Sequence, residues 1–535
     1  MDGLDLETEM LISQNSEEEE LEDEVGRKDA WECKICEHRF KLKRGKDPLE
    51  CPGCGKSSNK TQFEALTGPY QYFDEDQKDF IPYYLGRDIK NSYNFFVHPE
   101  SDEIYKFNGK IYQPEGEKFI RSKTQDKLQM LVRNRHVKET IEYVRRCGDI
   151  RPEKDEINNP DNNIVVDNGI LDIEEKELKR HDPKHLHITK IPWNYDPDAS
   201  LGMIEDFMYD IVKDEDVKLL QEMFGYCLLK DYPIAKAFML YGSGANGKST
   251  LLNLLERFLG KDNIATPSLH DLLRDKFAKI ELYGKLANIH NDISNMSLYN
   301  TGVFKMLTGG DSVEGQRKYK DPIRFQNHAK LVYACNELPS TDDTTKAFFR
   351  RWVLIDFPYI FDEHSDDTDP DILDKMITEE NMSGLLNWAL KGLDRILENE
   401  SFSMTDTRDD IEEKWIRQSD SLQSFFKECV EVDMDHWISK KDLREAYKIY
   451  CDTHDIEVVS KRKMTTRGPE MIPRTRSPND YRPKAHDDSR PQAWKNISLN
   501  EEFYEKYKFS PEYTSHIKEQ AEDRQNKLKV EEEKA

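Results

Sequence analysis

The segment 237–252, AFMLYGSGANGKSTLL, constrains the fold of this chain more than any other. The apolar run 238–241 predicts a buried strand, and the apolar positions of 250–259 recur at helical spacing. Between them lies the pattern G-x-x-x-x-G-K-[ST], which forms a phosphate-binding loop when a strand precedes it and a helix follows. A chance glycine-rich turn rarely has this complete context. The sequence therefore predicts binding and hydrolysis of a nucleoside triphosphate.

The residue types in this loop each have a chemical reason. Glycines allow the backbone to turn its N–H groups toward phosphate oxygens, and the following helix adds the positive end of its dipole. Lys248 is expected to reach the β- and γ-phosphates, and Ser249 to bind Mg²⁺. The predicted nucleotide-binding residues are Gly242, Ser243, Gly244, Ala245, Asn246, Gly247, Lys248, Ser249 and Thr250.

Polar residues end two further apolar runs, and two arginines precede a third. Asp292 follows the first run, and its carboxylate is expected to hold Mg²⁺ and polarise the attacking water. Asn336 follows the second, and its amide could orient that water or sense the γ-phosphate. Arg350 and Arg351 precede the third run. One of them is expected to act as an arginine finger, and the other as a salt-bridged structural residue.

A Gly-Gly turn at Gly309 and Gly310 precedes a cationic, aromatic segment that predicts a hairpin. Cations interleaved with aromatic residues suit contact with a nucleic-acid backbone. Lys318 and Lys320 are the predicted DNA-binding residues of this hairpin. A solvated basic hairpin is the alternative that this segment alone leaves open.

Two C-x-x-C pairs near the amino end predict a metal site formed by Cys33, Cys36, Cys51 and Cys54. Their spacing is typical of a tetrahedral Zn²⁺ site, and a metal would stabilise a segment that has too few apolar residues for its own core. Iron or free thiols are the alternatives. The sequence leaves open whether this unit is purely structural or contacts DNA or protein, although basic residues between the pairs favour contact.

The net charge of −26 does not exclude nucleic acid, because a local basic surface can bind it. No apolar run approaches the ~20 residues that a membrane span needs, and the amino end has no basic-then-apolar signal peptide. The nine cysteines, four of them in the two pairs, fit a reducing compartment. We therefore expect a cytoplasmic protein with no membrane partner.

The order of these motifs resembles that of the superfamily 3 helicases. It is most similar to the helicase part of phage- and plasmid-type primase–helicases, shared with poxvirus-like replication proteins. The likeness is strong over residues 235–360 and looser over 95–200. It rests on loop 242–249, Asp292, segment 305–320, Asn336 with Glu337, and Arg350 with Arg351. Two departures stand out: Asn291-Asp292 replaces the paired acids or Glu of many members, and the chain has neither room nor residues for an N-terminal primase.

The resemblance implies an AAA-like hexameric ring, ATP hydrolysis between subunits and 3′-to-5′ movement on single-stranded DNA. It implies that Lys248 and Ser249 contact the nucleotide and Mg²⁺, and that Asn336 is the sensor. It also implies that Asp292 forms the second acidic motif. Arg350 or Arg351 would be the finger acting in trans, and Lys318 or Lys320 would lie near the pore hairpin. The expected partners are single-stranded and forked DNA, further copies of this chain, and a separate primase with other replication proteins.

We predict an α/β fold in which an AAA-like P-loop ATPase core carries smaller domains on either side. The predicted parts are an acidic flexible tail (1–29), a zinc ribbon (30–60), an α+β pre-motor domain (70–200), the ATPase domain (201–360), a helical connector (361–415), a winged helix (416–500) and a charged helix or tail (501–535).

These features predict an ATP-dependent DNA helicase of a virus or mobile element that acts in replication, with ATP, Mg²⁺ and Zn²⁺ as cofactors. The alternative is an ATP-switched origin-binding initiator or loader, which needs no cationic pore hairpin because it does not translocate. A DNA-binding regulator without enzymatic activity is disfavoured, because Lys248 and Ser249 are both intact.

Overall fold

The structure is a computed structural model, and it divides the chain into two units. One unit comprises residues 1–159 with 181–188, and the other comprises 160–180 with 189–535. The residues that the structure describes are 28–33, 39–43, 63–66, 69–74, 79–158, 163–318, 321–343, 345–362, 369–454, 456, 458–471, 482 and 490–509.

The first unit contains two small antiparallel sheets and a group of helices. Its strands are β1 (Lys28–Cys33), β2 (Arg39–Lys43), β3 (Phe63–Leu66), β4 (Phe95–Val97), β5 (Ile104–Phe107) and β6 (Tyr112–Gln113), and its helices are α1 (Pro82–Ser92), α2 (Gly116–Leu128) and α3 (Asn134–Arg145). The strand orders are β2-β1-β3 and β4-β5-β6. The helices pack around fully buried apolar side chains such as Leu85, Ile120 and Val144.

Residues 123–146 look helical in the sequence and predict one helix, but the structure has two. The chain leaves α2 at Gln129, where φ is +48°, and starts α3 at Asn134. A non-glycine residue with positive φ interrupts a right-handed helix, so α2 and α3 can fold back against each other.

A five-stranded parallel sheet forms the centre of the second unit. From one edge to the other its strands are Ile264–Ala265, Ala287–His290, Lys330–Cys335, Ala237–Tyr241 and Trp352–Asp356. The strands of this unit before its C-terminal part are β7 (Asn163–Val166), β8 (Gly169–Asp172), β9 (Leu178–Lys179), β10 (Ala237–Tyr241), β11 (Ile264–Ala265), β12 (Ala287–His290), β13 (Ser312–Gln316), β14 (Pro322–Gln326), β15 (Lys330–Cys335) and β16 (Trp352–Asp356). β10 and β15 are buried along their whole length, as expected of parallel strands covered on both faces.

Helices cover both faces of the parallel sheet. They are α4 (Met203–Ile211), α5 (Val217–Tyr226), α6 (Lys248–Leu259), α7 (Leu269–Arg274), α8 (Lys276–Lys279), α9 (Gly302–Gly309), α10 (Lys346–Phe349), α11 (Ile372–Met376), α12 (Glu379–Asn399) and α13 (Arg408–Ser419). Alternate side chains of β10 enter the two layers: Phe238 and Leu240 join one core cluster, whereas Ala237 and Met239 join the other.

Residues 163–172, NIVVDNGILD, have an Asn-Gly turn signal between two apolar runs, which is typical of a hairpin. The structure has this hairpin, with β7 and β8 antiparallel around a turn at Asp167 and Asn168. The predicted pre-motor range of 70–200 differs from the structure, because residues 160–180 and 189–200 belong to the second unit. The physical reason is apolar burial: Ile164, Leu171 and Ile191 lie in the same core cluster as the helices of the parallel sheet.

The C-terminal part combines helices with a two-stranded antiparallel sheet. Its elements are α14 (Ser421–Cys429), β17 (Val430–Ser439), α15 (Lys440–Thr453), α16 (Lys461–Met471), β18 (Ala493–Leu499) and α17 (Glu501–Tyr507). Residues 420–430, 440–450 and 460–466 predict three helices, and an apolar-polar segment near Trp494 predicts a strand. The structure has these four elements and adds β17, which was not predicted. A winged helix remains a prediction. α17 is not an isolated charged helix, because Phe503 is buried in the core of this part.

Within the described ranges, no helix combines the length and apolar character that crossing a membrane requires.

Candidate functional site

The loop that joins β10 to α6 has a backbone that favours glycine. The φ angles are +153° at Gly242, +104° at Gly244 and +85° at Gly247. A Cβ atom at Gly242 would lie 2.4 Å from Asn246 Nδ2 and 2.6 Å from Phe357 O, so a side chain there would displace the loop. A Cβ atom at Gly244 would have no heavy atom within 4 Å. The loop backbone is therefore closely packed at Gly242 and open at Gly244.

Lys248 begins α6 and is held inside the loop. Its Nζ donates hydrogen bonds to Gly242 O at 2.7 Å and to Asn246 Oδ1 at 2.8 Å. Asn246 is buried, and its Nδ2 donates to Phe357 O at 3.0 Å. Ser249 is exposed in the first turn of the same helix. The loop thus presents an ammonium group and a hydroxyl group next to each other.

Acidic residues from two other strands lie near this lysine. Burial lowers the pKa of the Lys248 ammonium, whereas the nearby Cys335, Asp292 and Asp356 raise it. Asp292 follows β12 by two residues, and Asp356 is the last residue of β16. Because β12, β15, β10 and β16 are parallel, their carboxyl ends meet at the edge of the sheet that carries the loop.

Asn336 lies at the same edge. It directly follows Cys335, which is paired with Tyr241 in the register of β15 and β10, and its side chain is exposed. The structure therefore brings loop 242–249, Asp292 and Asn336 to the same edge of the sheet.

Two acids at this edge were assigned no role from the sequence. Asp356 is paired with Tyr241 in the sheet. Glu337 accepts a hydrogen bond from Asn295 Nδ2 at 2.9 Å. Burial raises the pKa of the Cys335 thiol to about 12, and Asp292 and Glu337 also raise it. Asp356 ends an apolar run just as the predicted Asp292 follows one, so the same rule could have found it.

The edge opens into a cleft whose other wall comes from the C-terminal part. The residues that line it include Gly242, Ser243, Asn336, Glu337, Asp356, Asp420, Asp452 and Lys463. Among the described residues, no group of three or more His, Cys, Asp or Glu side chains could hold a metal by itself. A cation bound through Ser249 and Asp292 would therefore need further oxygens, such as those of a phosphate.

The structure does not bring Arg350 and Arg351 to this edge. They precede β16, and Arg351 O accepts a hydrogen bond from Ala237 N at the start of β10. A strand of five residues spans about 16 Å, so both arginines lie at the opposite edge of the same sheet. Arg350 is exposed, and Arg351 is half-buried.

The predicted cationic hairpin is confirmed as an antiparallel pair, β13 and β14. Lys318 is exposed near its tip, and Lys320 lies outside the described residues. A groove beside the tip combines apolar, aromatic and basic side chains. Its lining includes Ile264, Phe277, Ile280, Glu281, Tyr283, Lys285, Arg317 and Lys318. Phe277 is 44% exposed, which leaves an aromatic face available for stacking.

Most of the predicted zinc ligands lie outside the described residues. Cys33 is the last residue of β1, whereas Cys36, Cys51 and Cys54 lie outside the described residues. The four-cysteine site remains a prediction.

Comparison with known protein families gives two matches. Residues 80–213 match the family described as "D5 N terminal like", and residues 240–351 match a "Family of unknown function". The second match begins in β10 and contains the loop, Asp292 and Asn336.

Two viral proteins are similar to this chain. It is 29% identical over 241 residues to "Putative helicase L207/L206" of Acanthamoeba polyphaga mimivirus, and 26% identical over 239 residues to "Putative helicase 121R" of Invertebrate iridescent virus 3. The matches cover 42% and 39% of this chain, and each spans only 25% of the relative. The comparisons support a relationship to viral proteins that are named as putative helicases.

Solved structures of the NrS-1 C-terminal region resemble the chain more weakly. One is 13% identical with a TM-score of 0.39, and a second, of residues 305–718, is 11% identical with a TM-score of 0.41. Each covers 78% of this chain and 99% of the other.

Proposed function

We propose that this protein is an ATP-dependent DNA helicase of a virus or mobile element, which works as a hexameric ring on single-stranded DNA. The observation that carries the proposal is the meeting of loop 242–249, Asp292 and Asn336 at one edge of a parallel sheet. A phosphate-binding loop beside a carboxylate and an amide is the arrangement that nucleotide hydrolysis requires. The names of the viral relatives support a helicase over other ATPases.

Each group at this edge has a role in that reaction. The loop amides and Lys248 would bind the phosphates, since the lysine can exchange its bonds to Gly242 O and Asn246 Oδ1 for phosphate oxygens. Ser249 and Asp292 would hold Mg²⁺, which supplies charge neutralisation when it is bound. Asn336 would orient the attacking water, because its exposed amide lies at the level of the loop.

The hairpin and its groove suit the DNA part of the activity. Lys285, Arg317 and Lys318 supply positive charge, and Phe277 supplies an aromatic face, which together are typical of single-strand binding. We expect single-stranded DNA to stimulate the ATPase through this surface. Movement from 3′ to 5′ and a separate primase partner are further parts of the proposal that come from the family resemblance.

Strand displacement on forked DNA tests the proposal. The full chain with ATP and Mg²⁺ should separate the strands, and Lys248→Ala should abolish both displacement and ATPase activity because the phosphate cradle loses its charge. Lys261→Ala is the matched control, since Lys261 is exposed and lies after α6. Full turnover by Lys248→Ala would refute the assignment of the loop.

A second experiment separates a helicase from an initiator that does not translocate. Lys318→Ala combined with Lys320→Ala should reduce DNA-stimulated ATPase and unwinding but spare basal hydrolysis. Lys261→Ala combined with Lys391→Ala changes the charge equally at exposed sites elsewhere and should leave the stimulation intact. ATPase activity without any strand displacement by the wild-type chain would favour the initiator.

A further inference from the structure

The helical pair of the first unit is basic in a chain that is strongly acidic. Residues 116–146 contain nine Lys and Arg against four Asp and Glu, whereas the whole chain has a net charge of −26. None of these cations lies near the nucleotide site in sequence, and the role proposed for the parallel sheet does not use them.

Five of the nine cations already have partners. Lys118, Lys123 and Lys127 form ion pairs with Glu115, Asp126 and Asp88. Arg145 pairs with Glu117 and Glu142, and Arg146 donates to Glu142 O. These five side chains therefore already have partners within the first unit.

The remaining cations are Arg121, Arg133, Arg135 and Lys138. All four are exposed, and in the described part of the chain their side chains make no hydrogen bond or ion pair. Exposed charges without partners add little to the stability of the fold. Their positive field stays available to attract an anion.

Three of these four lie together at the start of α3. Arg133 immediately precedes the helix, and Arg135 and Lys138 are three residues apart, which places them on the same face. Burial is the main cause that lowers the pKa of His136, Arg135 and Arg133 lower it further, and Glu139 on the same turn raises it. His136 stacks on Phe80 and meets Phe73 edge-on.

An exposed apolar side chain precedes these cations by three residues in the sequence. Met130 is 91% exposed, the highest value among the large exposed apolar residues of the described chain, and it follows Gln129 at φ +48°. The positive φ at Gln129 ends α2 immediately before Met130. We call Met130, Arg133, Arg135 and Lys138 the basic tip.

We propose that the basic tip binds the phosphate backbone of DNA, with Met130 packing against a sugar or base. This inference rests on the proposed function, because the helicase supplies the DNA. The cations neutralise phosphates, whereas an apolar contact adds affinity that does not depend on salt. The first unit would thus be a second point of DNA contact, on a fold separate from the ATPase.

The test uses the full chain and fluorescence anisotropy on labelled forked DNA over a salt series. Arg133→Glu combined with Arg135→Glu should weaken binding at least tenfold and reduce the salt slope by about 1.4 to 1.8, which corresponds to two phosphates. The control is Lys118→Glu combined with Lys154→Glu, which makes the same change of charge at two paired, exposed lysines of this unit. Unchanged binding by the arginine variant, or an equal loss in the control, would overturn the proposal.

Met130→Ala provides an independent readout. It should weaken binding about two- to tenfold and leave the salt slope unchanged, and a changed slope would contradict the apolar contact. Basal ATPase activity should be the same in every variant, so failure of the ATPase in the wild type would count against the proposed function and not against the tip. Binding of the tip to vesicles of anionic phospholipid, with DNA binding unaffected by the arginine variant, would identify a membrane surface and reject DNA.

Discussion

Arg350 and Arg351 are neighbours in sequence, yet their surroundings differ. Arg351 donates from Nε to Thr308 Oγ1 at 3.1 Å and from Nη1 to Ala347 O at 2.6 Å, so its own subunit occupies these groups. Arg350 is exposed, and its side chain has no hydrogen bond or ion pair within the described residues. Of the two predicted candidates, Arg350 is the one that is free to reach another molecule.

This difference predicts that the two alanine substitutions affect different properties of the protein. Arg350→Ala should lower ATPase turnover by about 10³–10⁵ at unchanged thermal stability, because a finger acts only in the transition state. Arg351→Ala should lower the free energy of unfolding by about 1–3 kcal/mol, because a half-buried guanidinium loses its partners. Steady-state turnover and thermal unfolding of both variants check the prediction. An equal loss of stability in the two proteins would contradict it.

Single residues were predictable where one local rule identifies them. Lys248 could be predicted because the loop pattern fixes its place, and Asp292 because it follows an apolar run. The pairing of Arg351 with Thr308 could not be predicted, since 43 residues separate them. Asp356 ends an apolar run, so the same local rule could have marked it, but the pairing of β16 with β10 that brings it to the loop could not be predicted.

At the scale of elements, Lys330 at the start of β15 forms hydrogen bonds with the segment that precedes β10. It is fully buried, and its Nζ donates to Leu229 O at 2.8 Å, Asp231 O at 2.6 Å and His328 O at 2.8 Å. Burial lowers its pKa to about 7, yet three carbonyl acceptors match the three N–H groups of an ammonium ion. The side chain therefore anchors two chain segments to one strand.

Lys330→Ala should lower the free energy of unfolding by about 3–5 kcal/mol, because buried carbonyls lose their donor and a cavity forms. Lys330→Met keeps most of the volume against the rings of Tyr226 and Tyr232, so it should cost less. Denaturant unfolding of both variants measures the costs, with Lys261→Ala as the exposed control expected within about 0.5 kcal/mol of wild type. A wild-type value for Lys330→Ala would show that the anchor is dispensable.

A bound zinc ion at the four-cysteine site is a second prediction at the scale of elements. Cys33, Cys36, Cys51 and Cys54 should hold about one Zn²⁺ per chain, since four thiolates complete a tetrahedral site. Metal analysis of the purified chain measures this directly, and Cys33→Ser should reduce the content while leaving the ATPase activity intact. Protein that contains neither zinc nor iron would reject the site.

Elements with strong local patterns could be predicted from the sequence, and those that depend on one backbone angle could not. The β13–β14 hairpin follows a Gly-Gly turn, and β10 is an apolar run with a glycine-rich end. The break between α2 and α3 has no such marker. Its cause is the φ of +48° at Gln129, a residue type that sequence rules place inside helices.

At the scale of the whole molecule, the positions of the loop and of Arg350 determine what a single chain can do. They lie at opposite edges of the parallel sheet, about 16 Å apart along β16. An arginine finger must lie within hydrogen-bonding distance of the phosphates. Arg350 therefore cannot serve the nucleotide of its own sheet, and a ring in which neighbours supply the finger follows from the proposed function.

Mixing two inactive variants tests this ring. Lys248→Ala lacks the phosphate cradle, and Arg350→Ala lacks the finger, so each alone should have no ATPase activity. In mixed rings, some interfaces join an intact loop on one subunit to an intact Arg350 on the next, and activity should return at about a quarter of the interfaces for equal amounts. Mixing Lys248→Ala with Ser249→Ala, both at the loop, is the control that should stay inactive. A chain that remains monomeric with ATP and DNA yet hydrolyses at full rate would exclude the ring.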